Sequence, residues 1–216
     1  MPRAGLSREA VTELAVALID STADGFDTLT LAAVAARAGV AVPSLYKHVG
    51  SLADLRRAVA LVGLTELLRR SSAATVGLAR DDALRALGRE IRAFAGEHPG
   101  LYAASQLAPK LDRGFDRGFD RSSPDRSPDD RSPDDPASLA LAQAAADTVA
   151  VVASVLRGFG LPEQRSVDAV RATRAAIHGF VELEAHGGFG MPDDVDRSFE
   201  ALLDVLVAGI VQLARS

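Results

Sequence analysis

The sequence predicts an all-α protein, a small N-terminal head of short helices followed by a larger helical body. Apolar residues recur at three- and four-residue spacing along most of the chain, helix caps and stops bracket those runs, and no strand-like alternation appears. With 48% hydrophobic residues in 216, there is enough apolar material for a substantial core.

Ser7 caps the first helix, whose Val11, Leu14, Ala15, Leu18 and Ile19 fall on one face, and Gly25 is expected to end it. Thr30 caps a short second helix, Leu31 to Ala38, which Gly39 terminates. Pro43 suits the first turn of a third helix reaching Val49. Ser51 caps a fourth, with Asp54 placed as the acidic member of a capping box. We set the head at residues 1–60 and the body at 61–216.

In the body, Leu84, Leu87, Ile91 and Phe94 keep the helical period until Pro99-Gly100 breaks it. Further helices are expected from Leu139 to Leu156, from Val167 to about Ala185, and from Asp194 to Ala214. The last carries so broad an apolar face, including Phe199, Leu203, Leu206 and Ile210, that it should pack on two sides, one of them in a second subunit. Between these runs, Arg-Gly-Phe-Asp repeats from Arg113 and is followed by variants of Arg-Ser-Pro-Asp. The eight Asp, five Arg and interspersed Pro of residues 112–136 predict a disordered insertion.

Composition narrows the function. The absence of cysteine excludes disulfides, thiolate metal sites and a cysteine nucleophile. No uninterrupted run of about 20 apolar residues marks a membrane span, and Met1 to Glu9 lacks a signal peptide's apolar stretch, so a cytoplasmic protein is expected. A net charge of -5 argues against indiscriminate nucleic-acid coating; any DNA binding is local. There is no HExxH, nucleophile elbow or glycine-rich phosphate loop, so an enzyme is not expected.

The segment Thr30 to Val49 carries the chemistry. Two helices joined by a Gly-containing turn hold the second at a fixed angle, so that it enters a major groove while the first crosses the backbone. Ala32, Ala33, Ala35 and Ala36 permit close approach, and Val34, Val40, Leu45 and Val49 supply the shared core. Pro43, Ser44, Tyr46, Lys47 and His48 remain on or near the outward side, offering hydroxyl, ammonium and imidazole groups to phosphates and base edges.

This segment, with the helix before it, the Leu45-Tyr46-Lys47-His48-Val49 ending and Gly50-Ser51-Leu52-Ala53-Asp54-Leu55 after it, resembles the DNA-binding domain of the TetR family of transcriptional regulators. The resemblance implies a three-helix, homeodomain-like head in which Thr30 and Tyr46 contact phosphates, Pro43 starts the recognition helix together with Val42, and Ser44, Lys47 and His48 lie nearest the bases. Leu52 stands where many relatives hold phosphate with Lys. Through residue 60 six basic residues balance six acidic ones, so Arg3 and Arg8 are expected to compensate by reaching the DNA backbone.

The resemblance continues through His98-Pro99-Gly100-Leu101-Tyr102, Arg174 to Glu184 and Gly187 to Pro192, which look like the TetR C-terminal subgroup marked by Trp-His-Gly, with Ile177 in place of the Trp. It implies a homodimer whose last two helices form a four-helix bundle, for which Phe180, Phe199, Leu203, Leu206 and Ile210 are the candidate interface residues. It also implies a small-molecule effector cavity, with Phe94, His98, Tyr102, Leu107, His178 and Glu182 as candidate lining. Helical spacing alone would equally make Phe94, Tyr102 and Leu107 core residues, and His178 a core or capping group.

No cofactor is expected. Glu182 and His186 lie four apart with Glu184 nearby, but third and fourth metal ligands are missing and a cation at a helix C-terminus suits the dipole. The expected partners are therefore operator DNA as an inverted repeat, a small effector, and a second copy. A helical binding or scaffolding protein without DNA function is the competing reading, separated by salt-sensitive binding to a palindrome.

Overall fold

The computed structural model describes residues 6–20, 25–107, 136–192 and 194–215, and every regular element among them is a helix. The head contains α1 (Arg8–Ile19), α2 (Gly25–Thr28), α3 (Leu31–Ala38) and α4 (Val42–Leu45). The long α5 (Leu52–Thr75) then runs into the body, which comprises α6 (Arg80–Glu97), α7 (Pro99–Ser105), α8 (Pro136–Arg157), α9 (Glu163–Ala185) and α10 (Val195–Leu213). Arg3 and residues 112–135 of the expected insertion lie outside the described residues.

Four of the ten helices among the described residues start at a side-chain cap. The hydroxyl oxygens of Ser7, Thr30 and Ser51 accept from the amides of Ala10, Ala33 and Asp54, and Asp194 accepts from Asp196 and Arg197. Gly39 closes α3 at φ +68°, a left-handed conformation that glycine adopts without steric cost.

Several boundaries differ from expectation. The first helix ends at Ile19 with Asp20 as its cap, and Gly25 instead opens α2. Pro99 interrupts the α6 run but also starts α7, because proline's fixed φ and missing N–H suit a first helical turn. Pro136, placed at the end of the insertion, opens α8, and α9 begins at Glu163 rather than Val167. Regular α-helical bonding in the reading helix covers only Val42–Leu45. Turns carry it to Val49, whose amide bonds the Leu45 carbonyl.

The α8 helix has a membrane span's length and apolar composition, with a mean hydropathy of 1.8, although Gln143 and Asp147 interrupt its apolar run. Of its residues Leu141, Val152, Val155 and Leu156 are buried, the last three in one cluster with Leu84 and Leu87.

One core joins head and body. Val11, Ala15, Ile19, Val34, Leu45, Val49 and Leu55 are continuous with Phe94, Leu101, Tyr102, Ile177 and Val181. Each fully buried Leu, Val or Phe contributes on the order of 1.5–3 kcal/mol, and α5 passes through residue 60 without interruption. Where α7 meets the end of α1 the backbones approach closely: a methyl built at Gly100 would lie 2.1 Å from the Ile19 carbonyl oxygen.

Candidate nucleic-acid interface

The turn at Gly39 brings α4 across α3, and Leu45 and Val49 anchor the reading segment by complete burial. Since those two face inward, Pro43, Tyr46 and Lys47 are exposed, Tyr46 to 56%, while Val42, Ser44 and His48 are half-buried. Thr30 is exposed, but its hydroxyl oxygen is engaged in the α3 cap, 3.2 Å from the Ala33 amide.

Arg8 is placed differently. Its guanidinium makes two hydrogen bonds to the Asp54 carboxylate, at 2.8 and 2.9 Å, and a longer one of 3.5 Å to the His48 carbonyl. Asp54 is 1% exposed, accepts from the Gly50 amide at 3.0 Å, and has Arg57 at 3.8 Å. A cation engaged this way fastens α1 to the end of the reading segment, a contact within the chain that the sequence reading of Arg8 did not include. Asp54 was legible only as half of a capping box; its carboxylate reaches past Ser51 to Gly50, and its partner is 46 residues away. Arg37, also unforeseen, is exposed on the last turn of α3. Among the described residues neither it nor Lys47 has a carboxylate within ion-pair distance.

In the body, five of the six candidate lining residues form a connected group. Phe94 is fully buried and packs on His98 and Tyr102, with ring centroids 5.6 and 6.5 Å away. The Tyr102 hydroxyl lies 2.9 Å from His178 Nδ1, and His178 faces Glu182 at 3.9 Å. Burial pushes the Tyr102 phenol above its ordinary pKa, the Glu182 carboxylate adds to that shift, and Arg174 opposes it. His98 Nδ1 is 2.5 Å from Asp20, which also accepts from the Leu101 amide at 3.3 Å, so the group reaches α1. Leu107 packs at the edge of the same core. Thr173, one turn before Ile177, has a buried hydroxyl with no hydrogen-bond partner among the described residues.

Open cavities among the described residues include two that lie elsewhere. One, about 370 Å³, is lined by Arg89, Arg92, Gly96, Val181, Glu184 and Phe199 among others. The second, about 410 Å³, lies against α5 between Arg8, Leu61, Thr65 and Ala137.

Of the candidate dimer residues, Phe199, Leu203 and Ile210 are buried within the single chain, so their apolar surface is already covered by its own core. Phe180 packs against Phe189 in a tilted contact and against Phe199 edge to face, with centroids 4.6 and 5.0 Å away, and Arg92 lies over the Phe180 and Phe199 rings. Leu206 is half-buried. The positions still open on α9 and α10 include Ala172, Ala175, Leu183, Ala201, Val205, Ala208 and Gly209, with Val205 68% exposed. His186 bonds the Glu182 carbonyl at 2.8 Å, and among the described residues no three His, Asp or Glu side chains cluster to hold a metal.

Residues 14–59 match the family model described as bacterial regulatory proteins, tetR family, and residues 84–206 match the model described as tetracyclin repressor-like, C-terminal domain. The chain is 35% identical over 193 residues to an uncharacterized HTH-type transcriptional regulator of Mycobacterium tuberculosis, covering 89% of this chain and 75% of the relative. It is 24% identical over 213 residues to one of Bacillus subtilis, covering 97% and 95%. Solved structures with the same fold include BioQ bound to its double-stranded DNA operator (TM-score 0.61, 20% identity, 96% of this chain and 99% of that one). A TetR variant from Acinetobacter baumannii in complex with minocycline is similar too (TM-score 0.61, 23% identity, 98% and 100%).

Proposed function

The chain belongs to the TetR family of DNA-binding transcriptional regulators, and on that premise we propose that it is an effector-responsive cytoplasmic repressor that binds an inverted-repeat operator as a homodimer. The observation that carries this reading is the reading segment itself. Leu45 and Val49 are buried beneath exposed Pro43, Tyr46 and Lys47, a rigid outward face of the size a major groove accepts.

Homodimerisation is supported by Gly179 and Gly209, which with Gly96 on α6 are the three helical glycines whose added methyl would meet no neighbour among the described residues. Methyl groups at Gly179 and Gly209 would meet nothing within 4 Å, yet glycine costs a helix roughly 1 kcal/mol relative to alanine. Small residues at Ala172, Ala175, Ala201 and Ala208 extend these open faces, and a second copy approaching closely gives them a purpose. In such a dimer the reading helices lie about one DNA turn, ~35 Å, apart.

An effector site is supported by the group Phe94, Tyr102, His178 and Glu182, an apolar wall with a few polar atoms. BioQ has been seen with operator DNA and the Acinetobacter baumannii TetR variant with minocycline. In this chain the same group connects through His98 and Asp20 to α1, so an effector that displaces α7 tilts the head and spoils the half-site spacing. Linkage then requires effector and operator to weaken each other by the same factor.

The test is binding of the purified protein to the DNA upstream of its own gene at two salt concentrations, with random DNA as competitor. Protection of an inverted repeat supports the regulator reading and supplies the operator for effector screening. Binding no tighter than to random DNA moves the balance toward the helical binding protein without DNA function. An identified effector that leaves operator affinity unchanged removes the inducer model but not the DNA-binding one.

A further inference from the structure

The leading residues of the reading segment carry almost no hydrogen-bonding side chains. A recognition helix reads base edges with its N-terminal residues, and here those are Ala41, Val42, Pro43 and Ser44. Ala41 and Pro43 are exposed, and Val42 is half-buried, one part of it packed on the core. Ala32, Ala33 and Ala36 of the preceding helix are exposed as well. None of the residues that discriminate bases by paired hydrogen bonds, Arg or Lys for guanine and Asn or Gln for adenine, stands at these positions, and a serine hydroxyl bonds to either kind of edge.

In the major groove the one apolar group on any base edge is the thymine 5-methyl. Apolar side chains placed against guanine or cytosine would strip water from donors and acceptors without replacing the hydrogen bonds, which is costly. We propose that this protein reads its operator half-site chiefly through thymine methyl groups, with Ala41, Val42 and Pro43 facing A·T pairs, while Tyr46 and Lys47 fix the register on phosphates. The inference rests on α3 and α4 being the DNA-reading unit.

The test separates the two. Operator sequences are selected from a random library with the full-length protein, and each thymidine of the selected half-site is then replaced by deoxyuridine, which deletes only the methyl. Removing a contacted methyl weakens binding about fourfold, which is ~0.8 kcal/mol, at one or two positions per half-site. At the position facing Val42 the penalty shrinks toward unity with V42S, a change that removes the apolar surface and adds a hydroxyl. Because the deoxyuridine series uses the unaltered protein, misfolding of a variant does not affect it. A half-site fully substituted with deoxyuridine that binds as tightly as the original overturns methyl reading while leaving the DNA-reading assignment intact. Selection that enriches no sequence overturns the assignment and this inference together.

Discussion

Replacing Arg8 by methionine distinguishes a latch from a DNA contact. The guanidinium makes two hydrogen bonds to a carboxylate that is 1% exposed, which also accepts from the Gly50 amide and has Arg57 at 3.8 Å. Breaking a fully buried ion pair costs about 3–5 kcal/mol. Arg8 itself is 39% exposed, so water reaches the vacated position, and about 2 kcal/mol is the expected loss. For a chain of this length that corresponds to a fall in Tm of roughly 4–8 °C. Operator affinity should also fall, since Gly50 and the His48 carbonyl sit at the end of the reading segment, but the slope of log K against log salt should stay the same because the protein still neutralises as many phosphates. Thermal unfolding and salt-titrated binding measure the two quantities independently. An unchanged Tm with a slope shallower by about 0.9 would refute the latch and make Arg8 a backbone contact.

Lys47→Ala should weaken operator binding and flatten the salt slope by about 0.9 for each phosphate that the ammonium neutralised, with stability within about 0.5 kcal/mol of the parent in chemical denaturation. Gly100→Ala forces a methyl against the Ile19 carbonyl and should cost about 3 kcal/mol, seen as a lower Tm. In a Tyr46→Phe background Tyr102 is the sole tyrosine, and its ultraviolet titration should have its midpoint above the ordinary value of 10. Because the folded pKa is raised, its contribution to stability is complete below pH 10 and is lost as pH climbs from there toward the folded value. Gly209→Leu should leave the protomer's helicity intact and convert dimer to monomer in sedimentation. A stable dimer in that variant would place the interface elsewhere.

Much of the architecture was legible because caps and apolar spacing act locally. Ser7, Thr30 and Ser51 each announce a helix within three residues, and the buried positions of α10 follow the period read from the sequence. What escaped were pairings over long sequence distances. Arg8 with Asp54 and Asp20 with His98 span 46 and 78 residues, and neither partner's neighbourhood in the chain announces the other. The same limit misled the interface assignment. Periodicity shows that Phe199, Leu203 and Ile210 share a face, but not whether α6 and α9 of the same chain or a second copy covers it. The Leu203 side chain lies where a methyl at Gly88 would stand, 2.6 Å away, so α6 covers at least that position.

The shared core constrains how an effector could act. A head joined to its body only by a flexible segment would respond weakly to events in the body. Here α5 belongs to both, and Ile19 and Asp20 of α1 lie against the first turn of α7. Gly100 removes the side chain that would separate those backbones, so a displacement of α7 cannot be absorbed at that point and must either move α1 or break the Asp20 hydrogen bonds. Packed interiors shift between discrete arrangements rather than deforming continuously. Under the proposed repressor reading, the His98–Asp20 pair is therefore where effector and operator occupancy compete. Asp20→Ala should reduce the factor by which an effector lowers operator affinity more than it reduces either affinity alone, as measured by paired titrations of both ligands.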